Sequence, residues 1–517
     1  MEANYPKYVL YGLLIVGSWL LSCLLHFQVF HLSLFPYPSY LLSRRVVLPP
    51  PLDASFLPPP PDDAAVVSGE GVERRRSPAK AEALASCDGR YVYVLEVPRR
   101  FQMLTECVEG SPVFDDPYHV CVLMSNSGLG PVIPPAAAGN ATVDGDIIPN
   151  TGWYNTDQYA LEVIFHNRMR RYECLTGDMA AATAVYVAFY PALELNRHKC
   201  GSSATERNEP PREFLRWLTS QPSWAALGGR DHFIVAARTT WMFRRDGAGD
   251  SLGCGNGFLA QPESGNMTVL TYESNIWERR DFAVPYPSYF HPSSAGEVSA
   301  WQATARAARR PWLFAFAGAR RANGTLAIRD HIIDECTASP PGRCGMLDCS
   351  HGLEGSITCR SPRRLVALFA SARFCLQPPG DSFMRRSSID TVLAGCIPVF
   401  FHEASTFKKQ YQWHERDADR RRYSVVIDPD DVVEGRVRIE EVLRRFSDDE
   451  VADMREEVIK MIPRFVYKDP RVRFEGDMRD AFDITFDEIM ARMRRIKNGE
   501  ELGWKLDGDD DVVAKDS

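Results

Sequence analysis

ASARFCLQPPGDSFMRRSSIDTVLAGCIPVFFHEASTFKKQYQWH, residues 370–414, is the stretch from which the fold can be read. Arg373 to Gln377 and Cys396 to Phe401 are short, β-rich apolar runs, and Ser382 to Ala394 between them carries Ile389, Val392 and Leu393 at helical spacing. The order strand, loop, helix, strand predicts a βαβ unit. In such a unit the loop after the first strand opens at the carboxyl edge of a parallel sheet, where a helix N-terminus offers unpaired N–H groups and a partial positive charge. The loop here is Pro378-Pro379-Gly380-Asp381-Ser382. Gly380 permits an unusual backbone angle, Asp381 or Ser382 can cap the helix, and Arg385 and Arg386 follow in its first two turns. Each guanidinium can present a planar fork of donors to phosphate oxygens, which suits a diphosphate. Asp390, one turn further on, can accept hydrogen bonds from sugar hydroxyls. The physical reading is a nucleotide-diphosphate pocket. The alternative is a pair of solvated arginines beside a capping Asp381, the ordinary state of exposed charge, and spacing alone leaves both open.

The 517-residue chain, 45% hydrophobic and 25% charged, can bury large cores and is long enough for two or more globular units. A net charge of −8 gives no basic surface of the kind nucleic acid calls for. Asp507 to Asp511 reads as a solvated acidic end within residues 498–517 rather than a metal site. Of thirteen cysteines, Cys23 lies in an N-terminal apolar run, and an even number remain: Cys87, Cys107, Cys121, Cys174, Cys200, Cys254, Cys336, Cys344, Cys349, Cys359, Cys375 and Cys396. In an oxidising compartment an even set suggests disulfides, with connectivity left open. Cys336, Cys344, Cys349 and Cys359 lack the paired C-x-x-C spacing of a zinc site, and Cys375 and Cys396, inside predicted core strands, fit buried thiols.

Tyr8 to Leu25 contains no charged residue and is long enough to span a bilayer, so residues 8–30 are expected to be a transmembrane signal anchor after a cytoplasmic tail, 1–7. No small-residue cleavage site follows it. Lys7, Arg44 and Arg45 do not settle orientation, but the sequons at Asn140, Asn266 and Asn323, with the cysteines, place the large C-terminal part in the secretory lumen. Residues 31–86, with Pro49 to Pro51 and Pro58 to Pro61, read as a Pro-rich stem.

Residues 87–310 alternate strand and helix: strands at Tyr91 to Val97, Ala184 to Tyr190, His232 to Ala237 and Val269 to Glu273, helices at Asp157 to Tyr172 and Arg212 to Thr219. Residues 311–497 continue with the strand Trp312 to Ala317, a Gly318-Ala319-Arg320-Arg321 turn, the βαβ unit and the strand Ser424 to Ile427. Helices follow at Arg438 to Phe446, Asp448 to Ile462 and Asp469 to Lys497. This alternation argues for parallel α/β sheets. Arg320 is a further candidate for phosphate, equally readable as a surface arginine. Trp153, Tyr154, Trp241, Trp277, Tyr286 and Tyr289 fall at expected loop ends, where aromatics suit flat sugar faces, although each is individually more often core.

FCLQPPGDSFMRRSSIDTVLAGCIPVFF resembles the signature of plant exostosin-like glycosyltransferases, of the xyloglucan galactosyltransferase (katamari or murus type) branch. The similarity extends through GWYNTDQYALEVIFHNRMRRYECLTGD (152–178), GGRDHFIVAARTTWMFRR (228–245), VPYPSYFHP (284–292), WLFAFAGARR (312–321) and MREEVIKMIPRFVYKDPR (454–471), and covers about residues 87–497. It implies a GT-B-like fold, two Rossmann-like domains facing a cleft, with the acceptor on the 87–310 unit and the nucleotide sugar on the 311–497 unit. It implies inverting transfer of galactose from UDP-galactose to xylosyl side chains of xyloglucan, a β-1,2 linkage, by a type II protein of the Golgi membrane. Arg385, Arg386 and the helix N-terminus at Ser382 would supply the positive charge for the departing diphosphate, so no cofactor or essential divalent metal is expected. Other Golgi glycosyltransferases are further expected partners. The donor pocket would comprise Arg320, Gly380, Asp381, Ser382, Arg385, Arg386 and Asp390, and the acceptor side Trp153, Tyr154, Trp241 and Tyr286. Inversion needs a base for the acceptor hydroxyl. Glu273 is the first candidate, with Asp157, His166, Glu194 and His291 behind it. His402 to Lys409 (HEASTFKK) departs from the branch's usual Pro-Gly-Ser segment, and Asp246 to Asn256 from a more acidic, Trp-bearing loop, which bears on the donor sugar. Transfer of arabinose or galacturonic acid, or a non-catalytic scaffold role beside another transferase, are the alternatives; a lectin-like receptor would need no nucleotide pocket.

Overall fold

The computed structural model describes residues 87–500 except 112, 114–119, 135–146, 198–201, 246–253, 276–280, 322–326, 351–358 and 416–419. The expected anchor and stem, Asn140, Asn323, Trp277, Cys23, Cys200 and the end of the acidic tail lie outside these residues. Among the described residues no helix is long and apolar enough to cross a membrane.

The apolar runs form two five-stranded sheets. In the first, β1 (Val92–Leu95), β2 (Ala184–Val187), β3 (His232–Val235), β4 (Thr268–Thr271) and β5 (Asp281–Ala283) lie side by side in that order, each parallel to the next. In the second, β6 (Trp312–Gly318), β7 (Cys344–Asp348), β8 (Ala372–Gln377), β9 (Ile397–Phe400) and β10 (Val425–Val426) are parallel in the order β10-β9-β8-β6-β7. Every residue of β2, β3, β4 and β9 is buried. That is the signature of parallel strands covered on both faces, and it is why they read as continuous apolar runs without alternation. The expected two-part α/β architecture is therefore present, with β5 and β7 as strands the sequence reading did not include.

The helices of eight residues or more are α1 (Leu161–Met169), α2 (Ala204–Thr219), α3 (Ala295–Ala307), α4 (Ile328–Ala338), α5 (Pro362–Ala370), α6 (Arg386–Leu393), α7 (Asp448–Phe465) and α8 (Ala481–Lys497). α2 begins at Ala204 rather than Arg212 because Ser203 and Glu206 form a capping box upstream of Pro210-Pro211. The helix expected from Asp469 begins only at Ala481. Gly476 is left-handed, and Asp480 caps the helix by accepting from Asp483 N–H while the Asp483 carboxylate returns the bond. α8 then crosses back to the first sheet: the Phe482 and Phe165 rings are 4.6 Å apart, Arg90 pairs with Asp487 at 2.7 Å, and Arg492 Nε donates to Thr268 Oγ1.

Arg310 joins the second sheet to its helices. Its guanidinium donates to Ala305 O, Phe369 O, Ala372 O and Ala394 O at 2.7–3.2 Å. The first two acceptors lie in the last turns of α3 and α5, and Ala394 caps α6, so one cation satisfies carbonyls that helix ends leave unpaired. The cysteines pair as Cys87–Cys174, Cys107–Cys121, Cys336–Cys344, Cys349–Cys359 and Cys375–Cys396. Cys254 is also disulfide-bonded. Cys375 and Cys396 are thus a bridge between β8 and the start of β9, not the buried thiols expected. The four cysteines weighed for zinc are consumed in two bridges.

Candidate active site

β8 delivers the chain at Gln377 into the loop that the sequence singled out, but the loop is longer than expected. Arg385 is the N-cap of α6, with extended backbone, and Arg386 is its first residue. Neither Asp381 nor Ser382 caps the helix. Instead Gly380 N–H donates to Ser382 O at 2.9 Å, and the Ser382 hydroxyl lies 3.1 Å from Met384 O, which curls the loop on itself. Gly380 has no unusual backbone angle here; it lies against the Arg385 guanidinium, which a Cβ would displace, falling 1.0 Å from one of its nitrogens. Arg385 therefore lies across the loop, with Asp381 3.9 Å away and its Nε buried without a hydrogen-bond partner.

A second guanidinium stands beside it. Arg329 of α4 donates from Nε to Pro379 O at 3.0 Å. Burial, then the charges of Arg385 and Arg321, push its pKa down to about 10. Like charges gathered at a partly buried loop are the complement of an anion. The sequence reading missed Arg329; the available signal was its place on the helix after β6, beyond the Arg-Arg turn. Arg320, which was nominated there, instead points outward and pairs with Asp334 at 2.6 Å, the surface alternative.

Arg386 and Asp390 are turned away from the loop into the contact between the two halves. Arg386 Nη1 donates to Thr156 O at 2.6 Å, its guanidinium carbon lies 3.7 Å from the Tyr289 ring centroid, and Nε is 3.6 Å from Asp390 Oδ2. Asp390, 1% exposed, accepts from the Ser288 hydroxyl at 2.6 Å, and burial raises its pKa. In this arrangement Asp390 accepts from a serine of the first half, and the two arginines make different contacts.

From the opposite side, Glu273 follows β4 and reaches the same loop. Its carboxylate accepts from Met384 N–H at 2.6 Å, and the nearby Ser382, Arg385 and Phe383 favour its charged form. Burial raises its pKa to about 7 in spite of these donors and of Arg385. The other base candidates are tied elsewhere. Asp157 accepts from Tyr159 N–H at 2.8 Å and does not cap α1, whose N-cap is Ala160. His166 lies 2.6 Å from the Tyr190 hydroxyl and 3.4 Å from Glu96. Glu194 pairs with Arg197 at 2.6 Å. His291 bonds to Thr156 Oγ1 and Tyr467 O, and burial lowers its pKa to about 4, leaving a neutral ring inside the interface.

The nominated acceptor aromatics are mostly packing. Trp153, 1% exposed, stands edge-on to Trp301 at 4.6 Å. Tyr154 takes a hydrogen bond from Arg471, Tyr286 stacks on Tyr272 at 4.0 Å, and Tyr289 lies under Arg386. Trp241 is half-buried, with Arg245 4.9 Å from its ring centroid. Sequence reasoning passed over Tyr159, a half-buried ring with Arg238 3.9 Å over it. Asn266, the sequon within the described residues, is exposed.

The chain matches the Exostosin GT47 domain over residues 86–443. It is 40% identical over 433 residues to Xyloglucan galactosyltransferase MUR3 of Arabidopsis thaliana, which spans 81% of this chain and 67% of that protein. It is 38% identical over 437 residues to Probable xyloglucan galactosyltransferase GT15 of the same plant, 83% of this chain and 88% of that one. Xyloglucan-specific galacturonosyltransferase 1, also from Arabidopsis thaliana, is 36% identical over 414 residues, 79% of this chain and 58% of its own length.

Proposed function

This chain belongs to the exostosin GT47 family, and we propose that within it the protein is a GT-B-type glycosyltransferase that moves galactose from UDP-galactose to xylosyl side chains of xyloglucan with inversion. The observation that carries the chemistry is the meeting of Glu273, from the carboxyl end of β4, with the guanidinium-flanked loop after β8. On this reading the 311–497 unit holds the nucleotide sugar and the 87–310 unit the acceptor. Arg385 and Arg329 face the diphosphate and offset the negative charge that grows on it as the anomeric bond breaks. Glu273 takes the proton of the attacking hydroxyl, and the bonding electrons leave with the UDP. Positive charge from side chains serves the departing diphosphate, so the proposal asks for no divalent metal. Tyr159, with Arg238 on its ring, is the first candidate to meet the acceptor sugar.

The test is UDP release by the full-length protein with a panel of UDP-sugars and a xylosylated glucan oligosaccharide. Release with UDP-galactose only when the oligosaccharide is present is the expected result. Release with UDP-galacturonic acid or a UDP-pentose instead would keep the mechanism and replace the donor, and a protein that binds UDP but releases none from any sugar would be the non-catalytic partner of another transferase.

The pKa of Glu273 sets a second expectation. A carboxyl raised to about 7 is largely protonated below that pH and cannot accept a proton. kcat/KM should therefore fall about tenfold for each pH unit below 7 and level off above it. A profile flat from pH 5 to 8 would remove Glu273 as the base.

We further propose a type II arrangement in the Golgi membrane, anchored by the uncharged run Tyr8 to Leu25 with the globular part lumenal. The disulfides and the exposed sequon Asn266 support this placement.

A further inference from the structure

The donor groups that a phosphate oxygen would use at the loop after β8 are engaged by a carboxylate of the chain itself. Met384 N–H donates to Glu273 at 2.6 Å, and the neighbouring Ser382, Arg385 and Phe383 favour its ionised form. Consecutive backbone N–H groups backed by a guanidinium form an anion-binding concavity. Glu273, 6% exposed, fills it from the opposite half. The charged and titratable groups acting with it are Arg385 from the loop, Tyr286 from beyond β5, and Tyr411.

The contact between the halves does not depend on this carboxylate. Arg386 to Thr156 O and Ser288 to Asp390 cross between the same two halves through other elements, at 2.6 Å each, and Tyr467 Oη donates to Pro285 O at 2.7 Å. These contacts between the halves do not involve Glu273.

We propose that Glu273 is a resident anion in the diphosphate site of the donor loop, displaced when the nucleoside diphosphate binds, so that the base is released toward the acceptor only after the donor is in place. Two anions cannot share one set of donors without strong like-charge repulsion, so the diphosphate and the carboxylate compete. The released carboxylate then accepts the acceptor's hydroxyl proton, and the donor's anomeric bond gives its electrons to the diphosphate. Donor-before-acceptor order follows. This inference rests on the loop being the nucleoside diphosphate site.

The experiment is calorimetric titration of UDP at about pH 8, where Glu273 is ionised, into the full-length protein as wild type, Glu273→Gln and Ser382→Ala. Glutamine keeps an oxygen for Met384 N–H, so the loop retains its support, and equal thermal midpoints check that it does. Glu273→Gln should bind UDP about 3- to 10-fold tighter, as expected when a competing like charge is removed, while turnover is lost. Ser382→Ala should bind UDP more weakly, since the hydroxyl serves the phosphate once Glu273 has gone. UDP affinity unchanged or weakened in a well-folded Glu273→Gln protein would overturn the proposal and make Glu273 a strut. Absence of UDP binding in the wild type would instead overturn the assignment of the loop itself.

Discussion

Replacing Arg385 by methionine is expected to lower turnover with UDP-galactose about 10²- to 10³-fold, the usual cost of removing one preorganised donor from a developing negative charge. The thermal midpoint should change little. Arg385 is held by contact with Gly380 rather than by an ion pair; its nearest carboxylate oxygen, on Asp381, is 3.9 Å away, and its Nε has no partner. Methionine keeps much of that contact and removes the charge. The measurement is kcat at saturating donor beside the unfolding midpoint of the same preparation. Turnover within a few-fold of wild type would move the phosphate charge to Arg329, whose Nε donates to Pro379 O of the loop.

Its neighbour should behave in the opposite way. Arg386→Met is expected to cost about 3–5 kcal/mol of stability, because it removes one member of a buried charge pair and leaves the other uncompensated. Asp390, at 1% exposure, would keep only the Ser288 hydroxyl. Urea unfolding of Arg386→Met, Asp390→Asn and the double variant measures this: the double variant should be distinctly more stable than Arg386→Met alone, since the stranded charge is gone. If Arg386 were a phosphate ligand, its loss would raise the donor KM and leave unfolding nearly unchanged. That outcome would return it to the role its sequence neighbourhood suggests.

These two arginines show where sequence reasoning stops. Side chains of consecutive residues near a helix start project about 100° apart. Arg385 at the N-cap and Arg386 at the first helical position therefore reach different surroundings, one the loop and one the domain contact. The sequence reading began the helix at Ser382, which put both in the first two turns and lent them a shared role. Asp390 was grouped with them, and its hydrogen-bond donor is Ser288, 102 positions away. The aromatics misled for a related reason, since loop-end position does not reveal burial, and Trp153 and Tyr286 face rings rather than solvent.

The sequence alone determined the alternation of strands and helices, the parallel character of the sheets and the loop after β8 as the place to look. These follow from local pattern, since a strand buried on both faces must be apolar along its length and a βα loop needs residues that turn. It also singled out Glu273 from its place at a strand end. Only the tertiary structure decided what Glu273 touches, which arginine stays at the loop, that Arg329 joins it, and that Cys375 and Cys396 are a bridge. Each of these depends on groups brought together from distant parts of the chain, as Glu273 and Met384 are across 111 positions. Hydrogen bonds and burial act through space, and sequence pattern records only the local part of that.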